Sequence, residues 1–233
     1  MIFSGASPIQ QKAGKTMNKT NRKNLYFSLS MLISFMLLTV ALHFIDIRPI
    51  GPENSEVGLA ALNEFFHNLI GVNMTLYTIT DWFGLVPIAV AFSFALLGLA
   101  QWINRRSLSK VDYSIFVLGG FYVAVMVVYA LFEVYAVNYR PVLINGCLEV
   151  SYPSSTTMLV MCVMPTAIMQ LNSRLQSSAV KRLLSVMITA FIVFMVAGRL
   201  ISGVHWLSDI IGGALVSAGL VLMYRFFIRL RAV

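Results

Sequence analysis

Cysteine, charge and metal-ligand spacing are all scarce in this sequence, and each scarcity removes a class of explanation. Only two cysteines occur in 233 residues, too few for a disulfide framework. Cys147 falls in a loop, and Cys162 would lie about 14 Å along a helix starting at Pro153, so the two are not expected to meet. No group of Cys and His has zinc spacing and no Gly-rich P-loop precedes a helix, so no metal or other cofactor is expected. Charged residues make up 11% of the chain against 58% hydrophobic ones. That balance excludes a soluble domain, because the apolar runs are longer than a buried globular helix needs. A net charge of +8 does not mark a nucleic-acid partner here. The basic residues sit at the ends of the apolar runs, where membrane topology accounts for them.

What is present is a series of long apolar segments. Residues 1–24 form a basic arm rich in Gly, Ser, Asn and Lys, expected to be disordered and cytoplasmic, with Met17 as an alternative start. Residues 25–233 are expected to form one membrane domain of all-α class, with six transmembrane helices. These spans are Leu25–Ile45, Leu76–Ile103, Tyr113–Val137, Pro153–Leu171, Leu183–Ile201 and Trp206–Phe227. The first is longer than a signal-peptide core and is read as a retained anchor. Between the first two spans, Arg48-Pro49 and Gly51-Pro52 break any continuous helix. Val57, Ala60, Ala61, Phe65 and Leu69 then recur near helical spacing, which predicts a short amphipathic helix along the membrane surface, with His67 on its polar face. Trp82 and Trp102 suit interfacial anchors. Gly119-Gly120 and the stripe Gly212, Gly213, Ser217 and Gly219 suit close helix packing. With both termini cytoplasmic, the inner side holds 14 of the 17 Lys and Arg, and only Arg48, Arg140 and Arg199 lie outside. This basic asymmetry predicts a multi-pass protein of the cell membrane.

The chemistry concentrates in Gly198–Asp209, GRLISGVHWLSD. Asp209 follows His205 by about one helical turn and can hold its imidazole. Arg199, His205 and Asp209 at one hydrophobic boundary are costly unless they serve a function. A guanidinium that neutralises phosphate oxygens, an imidazole that attacks phosphorus and a carboxylate that fixes the tautomer suit phosphoryl transfer.

Two further stretches, NYRP at Asn138–Pro141 and YPSSTT at Tyr152–Thr157, join this one. Together the three resemble the signature of the type 2 phosphatidic acid phosphatase superfamily, which includes acid phosphatases and vanadium haloperoxidases. Its blocks are Lys, six residues, Arg-Pro; then Pro-Ser-Gly-His; then Ser-Arg, five residues, His, three residues, Asp. Arg140-Pro141 fits the first, Pro153-Ser154 the start of the second, and Arg199, His205 and Asp209 the third. The likeness extends over roughly residues 77–227. Three positions depart from it: Glu133 replaces the lysine, Thr156 the second-block histidine and Gly198 the serine.

The resemblance implies a membrane lipid phosphatase with its active site on the extracytoplasmic face. His205 is then the nucleophile through a phosphohistidine, Asp209 orients it, and Arg140 and Arg199 clamp the phosphate. Ser154 and Ser155 begin the fourth span, so their hydroxyls either bind phosphate or cap the helix. The family histidine protonates the leaving alkoxide, and a threonine hydroxyl is far too weak an acid to replace it. Such catalysis is typically worth ~100- to 10,000-fold, so its loss tilts the expected substrate toward a lipid diphosphate such as polyprenyl diphosphate. Glu133 either supplies the acid or pairs with Arg140, the latter only if its helix persists to Arg140. The alternatives are a lipid phosphotransferase of the same fold and a catalytically weak or inactive lipid-binding protein.

Overall fold

The computed structural model describes residues 19–230, and among them it contains eight α-helices and no β-strand. Inside a bilayer every backbone N–H and C=O must be paired without water, and a continuous apolar run of about 20 residues does this within itself as a helix. These are α1 (Lys19–Phe44), α2 (Ala60–Ile70), α3 (Met74–Phe83), α4 (Leu85–Arg105), α5 (Tyr113–Val134), α6 (Ser155–Arg174), α7 (Ser178–Ile201) and α8 (Leu207–Leu230). Helix α1 already begins at Lys19, ahead of the expected Leu25; residues 1–18 of the arm lie outside the described residues.

Five segments are long and apolar enough to cross a membrane: α1, the α3–α4 run Met74–Arg105, α5, α7 and α8. The protein is therefore a multi-pass membrane protein. Helix α6, expected as the fourth span, forms but is not among these five. Its polar residues explain the difference. Thr157, Thr166 and Gln170 are buried against α4, α5, α7 and α8, so α6 needs less apolar surface than a lipid-facing helix. The second expected span is divided at Gly84, whose N–H reaches back to Asp81 (2.9 Å) and Thr80 (3.1 Å). The run is 32 residues long, about 48 Å of helix against a hydrocarbon core of about 30 Å. Its excess length lets α3 extend along the end of α7.

Helix α2 occupies the stretch expected to be amphipathic. Ala60 and Asn63 are buried against α8, while Leu62, Phe65 and Leu69 face outward. The Asn63 carboxamide accepts from the Ser208 N–H (3.1 Å) and donates to the Ser208 hydroxyl (3.0 Å), tying α2 to the first turn of α8.

Helix α1 lies along α8, and the Ser28 hydroxyl donates to the Gly219 carbonyl at 2.7 Å. The main core gathers Phe35, Leu42, Leu118, Phe121, Tyr152, Met158, Cys162 and Tyr224. The small residues of α8 are what admit its neighbours. A Cβ at Gly212 would stand 2.4 Å from the Tyr152 ring, one at Gly213 3.1 Å from the Ser154 carbonyl oxygen, and one at Gly219 2.7 Å from Leu32. Gly119 and Gly120 behave differently from the expectation of close packing: a Cβ on either would meet nothing within 4 Å. They line apolar grooves of about 370 and 380 Å3 on the two sides of α5. Cys147 is exposed and Cys162 buried, each as a free thiol.

Candidate active site

Three irregular stretches converge beside the ends of α7 and α8: the loop after α5, the turn into α6, and Ser202–Trp206. Helix α5 ends at Val134, and the following loop folds back on itself. Tyr139 bridges Val150, and the Arg140 N–H donates to the Glu149 carbonyl at 3.0 Å. That fold-back buries Arg140 and brings its guanidinium to His205, with Nη1 3.3 Å from Nε2. Glu149 pairs with the Arg140 Nε at 3.0 Å and remains 42% exposed. Glu133 therefore does not inherit the pairing suggested for it. The helix stops before it could carry Glu133 to Arg140, and Glu133 stands exposed beside a small cleft shared with Ser151, Tyr152 and Ser155.

His205 and Asp209 sit at the entry to α8, both buried. The direct separation from His205 Nδ1 to Asp209 Oδ2 is 3.6 Å, too long for a hydrogen bond. Ser151 fills the gap. Its hydroxyl lies 3.1 Å from Nδ1 and donates a short hydrogen bond to Asp209 Oδ2, which also accepts from the Trp206 N–H at 2.8 Å. A guanidinium can only donate, so Nε2 facing Arg140 carries the lone pair and Nδ1 carries the proton. The chain of donors then runs from Nδ1–H to Ser151 and from Ser151 to Asp209. Burial pushes the His205 pKa down to about 4; Asp209 raises it in opposition, and the Arg140 charge lowers it further. The imidazole is thus neutral near pH 7.

Arg199 is buried near the C-terminal end of α7, its side chain 2% exposed. Its Nη2 donates to Thr156 Oγ1 at 2.6 Å and to Asp81 Oδ1 at 2.7 Å. Its Nε and Nη1 are buried with no partner. The Tyr77 ring lies under both arginines, 5.8 Å from the Arg140 guanidinium carbon and 4.9 Å from that of Arg199. Ser154 acts as the N-cap of α6, its Oγ accepting from the Thr157 N–H at 3.4 Å, while its own N–H donates to the Asp209 carbonyl at 3.1 Å. Ser155 opens the helix beside the Glu133 cleft.

The structure thus gathers Arg140, His205 and Asp209 into one contact chain and ties Arg199 to Thr156. Sequence reasoning missed Ser151, Asp81, Tyr77 and Glu149 as neighbours of these groups. Residues 133–231 match the family model described as the PAP2 superfamily. The likeness to that family rests on this segment. No curated protein matches the chain. Among solved structures it is similar to the first transmembrane PAP2-type phosphatidylglycerolphosphate phosphatase from Bacillus subtilis. That match has a TM-score of 0.54 and 19% identity, and covers 88% of this chain and 96% of the other. At that identity the likeness is one of fold. The PAP2 segment carries every residue of the His205 contact chain, whereas Tyr77 and Asp81 lie outside it.

Proposed function

We propose that this protein is a metal-independent lipid phosphatase that uses His205 as nucleophile. The observation that carries the reading is the orientation of one neutral imidazole. Nδ1 is engaged by Ser151, which is bound to Asp209, and Nε2 is directed at the Arg140 guanidinium. An incoming phosphate would draw Arg140 from Nε2 onto its own oxygens and meet the unpartnered Nε and Nη1 of Arg199. The freed Nε2 lone pair attacks the terminal phosphorus, and the bond from that phosphorus to the oxygen joining it to the rest of the lipid breaks, leaving its electron pair on that oxygen, an alkoxide oxygen in a monoester and a phosphate oxygen in a diphosphate. The ring becomes positive with its Nδ1 proton directed to Ser151, and the Asp209 charge stabilises it. Water then attacks the phosphohistidine, the P–N bond breaks, its pair returns to Nε2, and inorganic phosphate leaves.

The substrate class follows from Thr156. Its hydroxyl is engaged by Arg199, and a hydroxyl is in any case too weak an acid to protonate a departing alkoxide. From a lipid diphosphate such as a polyprenyl diphosphate the lipid monophosphate departs, and this weakly basic leaving group needs that proton least. The basic asymmetry of the sequence supports six spans, with α6 as the enclosed fourth, both termini cytoplasmic and this site on the extracytoplasmic side. The test is phosphate release by the purified protein from prenyl diphosphates and from phosphatidic acid, compared with His205→Ala. Diphosphate turnover that vanishes in the variant is the expected result. Equal rates in the two proteins would remove the phosphohistidine. Loss of the substrate's terminal phosphate that depends on an added alcohol, with an alcohol phosphate formed in place of inorganic phosphate, would make the protein a phosphotransferase, and substrate binding with no turnover at all would favour the lipid-binding alternative.

A further inference from the structure

We propose that Asp81, outside the PAP2 segment, is a positioning residue for the phosphate clamp, and that Gly198 is glycine so that Asp81 can reach Arg199. The inference rests on the phosphatase reading and deepens it. Helix α3 packs on α7, and Asp81 takes Nη2 of Arg199 at 2.7 Å from a side chain that is 59% exposed. Thr156 takes the same Nη2 from the other side of the site. Held at Nη2 by these two acceptors, a planar guanidinium can turn neither about its long axis nor away from the site, so the donors on either side of Nη2, Nε–H and Nη1, each keep one direction. Both donors are buried and unpartnered, and a phosphate takes up such charged N–H groups through its oxygens.

The contact requires close approach of the two helices. A Cβ at Gly198, immediately before Arg199, would stand 2.6 Å from Thr80 Cγ2. Thr80 is buried and precedes Asp81, and its branched methyl has little freedom to withdraw. The serine found at this point of the family signature would push Thr80, and Asp81 with it, away from Arg199. The Gly198 and Thr156 departures are therefore two parts of one device. Thr156 replaces an acid by an acceptor for Arg199, and Gly198 admits a second acceptor from α3.

The test uses the full-length protein in detergent micelles, reading orthovanadate affinity by calorimetry together with kcat and KM on a prenyl diphosphate. Asp81→Asn and Gly198→Ser should each weaken vanadate binding and raise KM by about 10- to 100-fold, the range that a displacement of roughly 1 Å can cost. Asp81→Glu should recover part of the loss. Thr80→Ser, which removes only the obstructing methyl, should restore vanadate affinity to Gly198→Ser. A purely structural role would reduce the active fraction and leave KM and the vanadate Kd of the remainder unchanged. The proposal is overturned if Asp81→Asn binds vanadate like the wild type while Arg199→Lys does not, or if Thr80→Ser gives no rescue. A wild-type protein that neither binds vanadate nor releases phosphate would instead bring down the phosphatase reading, and this proposal with it.

Discussion

Ser151→Ala removes the hydroxyl that joins His205 to Asp209, and it tests the reading of the site at its least expected point. In the wild type Asp209 Oδ2 accepts from Ser151 and from the Trp206 N–H, while its distance to Nδ1 is 3.6 Å. Deleting Oγ leaves Nδ1–H without its acceptor in a buried site. A hydrogen bond linked to a charged group contributes about 1.5–3 kcal/mol, and 1.36 kcal/mol is about tenfold in rate. The bond matters most when the ring becomes positive, so the loss should fall on kcat and amount to about 10- to 100-fold. KM should hold, because Arg140 and Arg199 retain their positions. The fall should stop short of that in His205→Ala, since a modest turn of either side chain would close 3.6 Å to a direct hydrogen bond. The assay is phosphate release from a prenyl diphosphate in mixed micelles over a range of substrate, with wild type, Ser151→Ala, Asp209→Asn and His205→Ala in parallel. An unchanged kcat for Ser151→Ala would refute the relay. A raised KM with unchanged kcat would reassign Ser151 to binding substrate.

Four further outcomes are expected. Because burial depresses the His205 pKa to about 4, the proposed nucleophile stays unprotonated well below its ordinary 6.5. The acid limb of kcat/KM assigned to it should fall near pH 4, and a limb that stays near 6.5 would contradict the burial of a neutral ring; the same depression makes the fold less stable as pH drops from about 6.5 toward 4, since the unfolded chain takes up the proton that the folded one refuses. Thr156→His should raise the ratio of monoester to diphosphate turnover even though it breaks the 2.6 Å contact with Arg199, because an added acid helps in proportion to the basicity of the departing oxygen. Gly212→Ala, whose Cβ would stand 2.4 Å from the Tyr152 ring, should lower thermal stability by about 1–3 kcal/mol and reduce activity by shifting Ser151 and Ser154, measured by melting temperature and turnover. Reporter fusions after Arg106 and near the C-terminus should read cytoplasmic and one near Asn145 external, and an external C-terminus would invert the placement of the site.

The apolar runs were legible as helices because a continuous run of that length can pair its backbone in lipid only within itself, and the cluster of Arg199, His205 and Asp209 was legible because the three sit close together along the chain. What stayed hidden has a common cause. Ser151 lies in a loop whose path is set by the Tyr139–Val150 bridge, a contact without periodicity. Asp81 reaches Arg199 across 118 positions, and nothing local to α3 announces it. The Gly84 break was obscured by the continuous apolarity of the run around it. Helix α6 shows the reverse problem: its helical form was legible, but its polar residues are explained only by the neighbours that enclose them. Glu133 and Arg140 were close enough in sequence to suggest a pair, yet the end of α5 at Val134 separates them and Glu149 takes the arginine.

The pairing of α1 with α8 has a consequence for biosynthesis. Among the described helices α1 is translated first, and the partner of its Ser28 hydroxyl, the Gly219 carbonyl, follows 191 positions later. Leu32 seats on that same glycine. Until α8 has been made, α1 must wait in the bilayer with its inner face turned to lipid or to a helper protein, and the bundle cannot close around α6 stepwise from α1 onward. A premature stop before α8 would leave α1 inserted but without its partner, exposing polar groups that quality-control proteases can recognise.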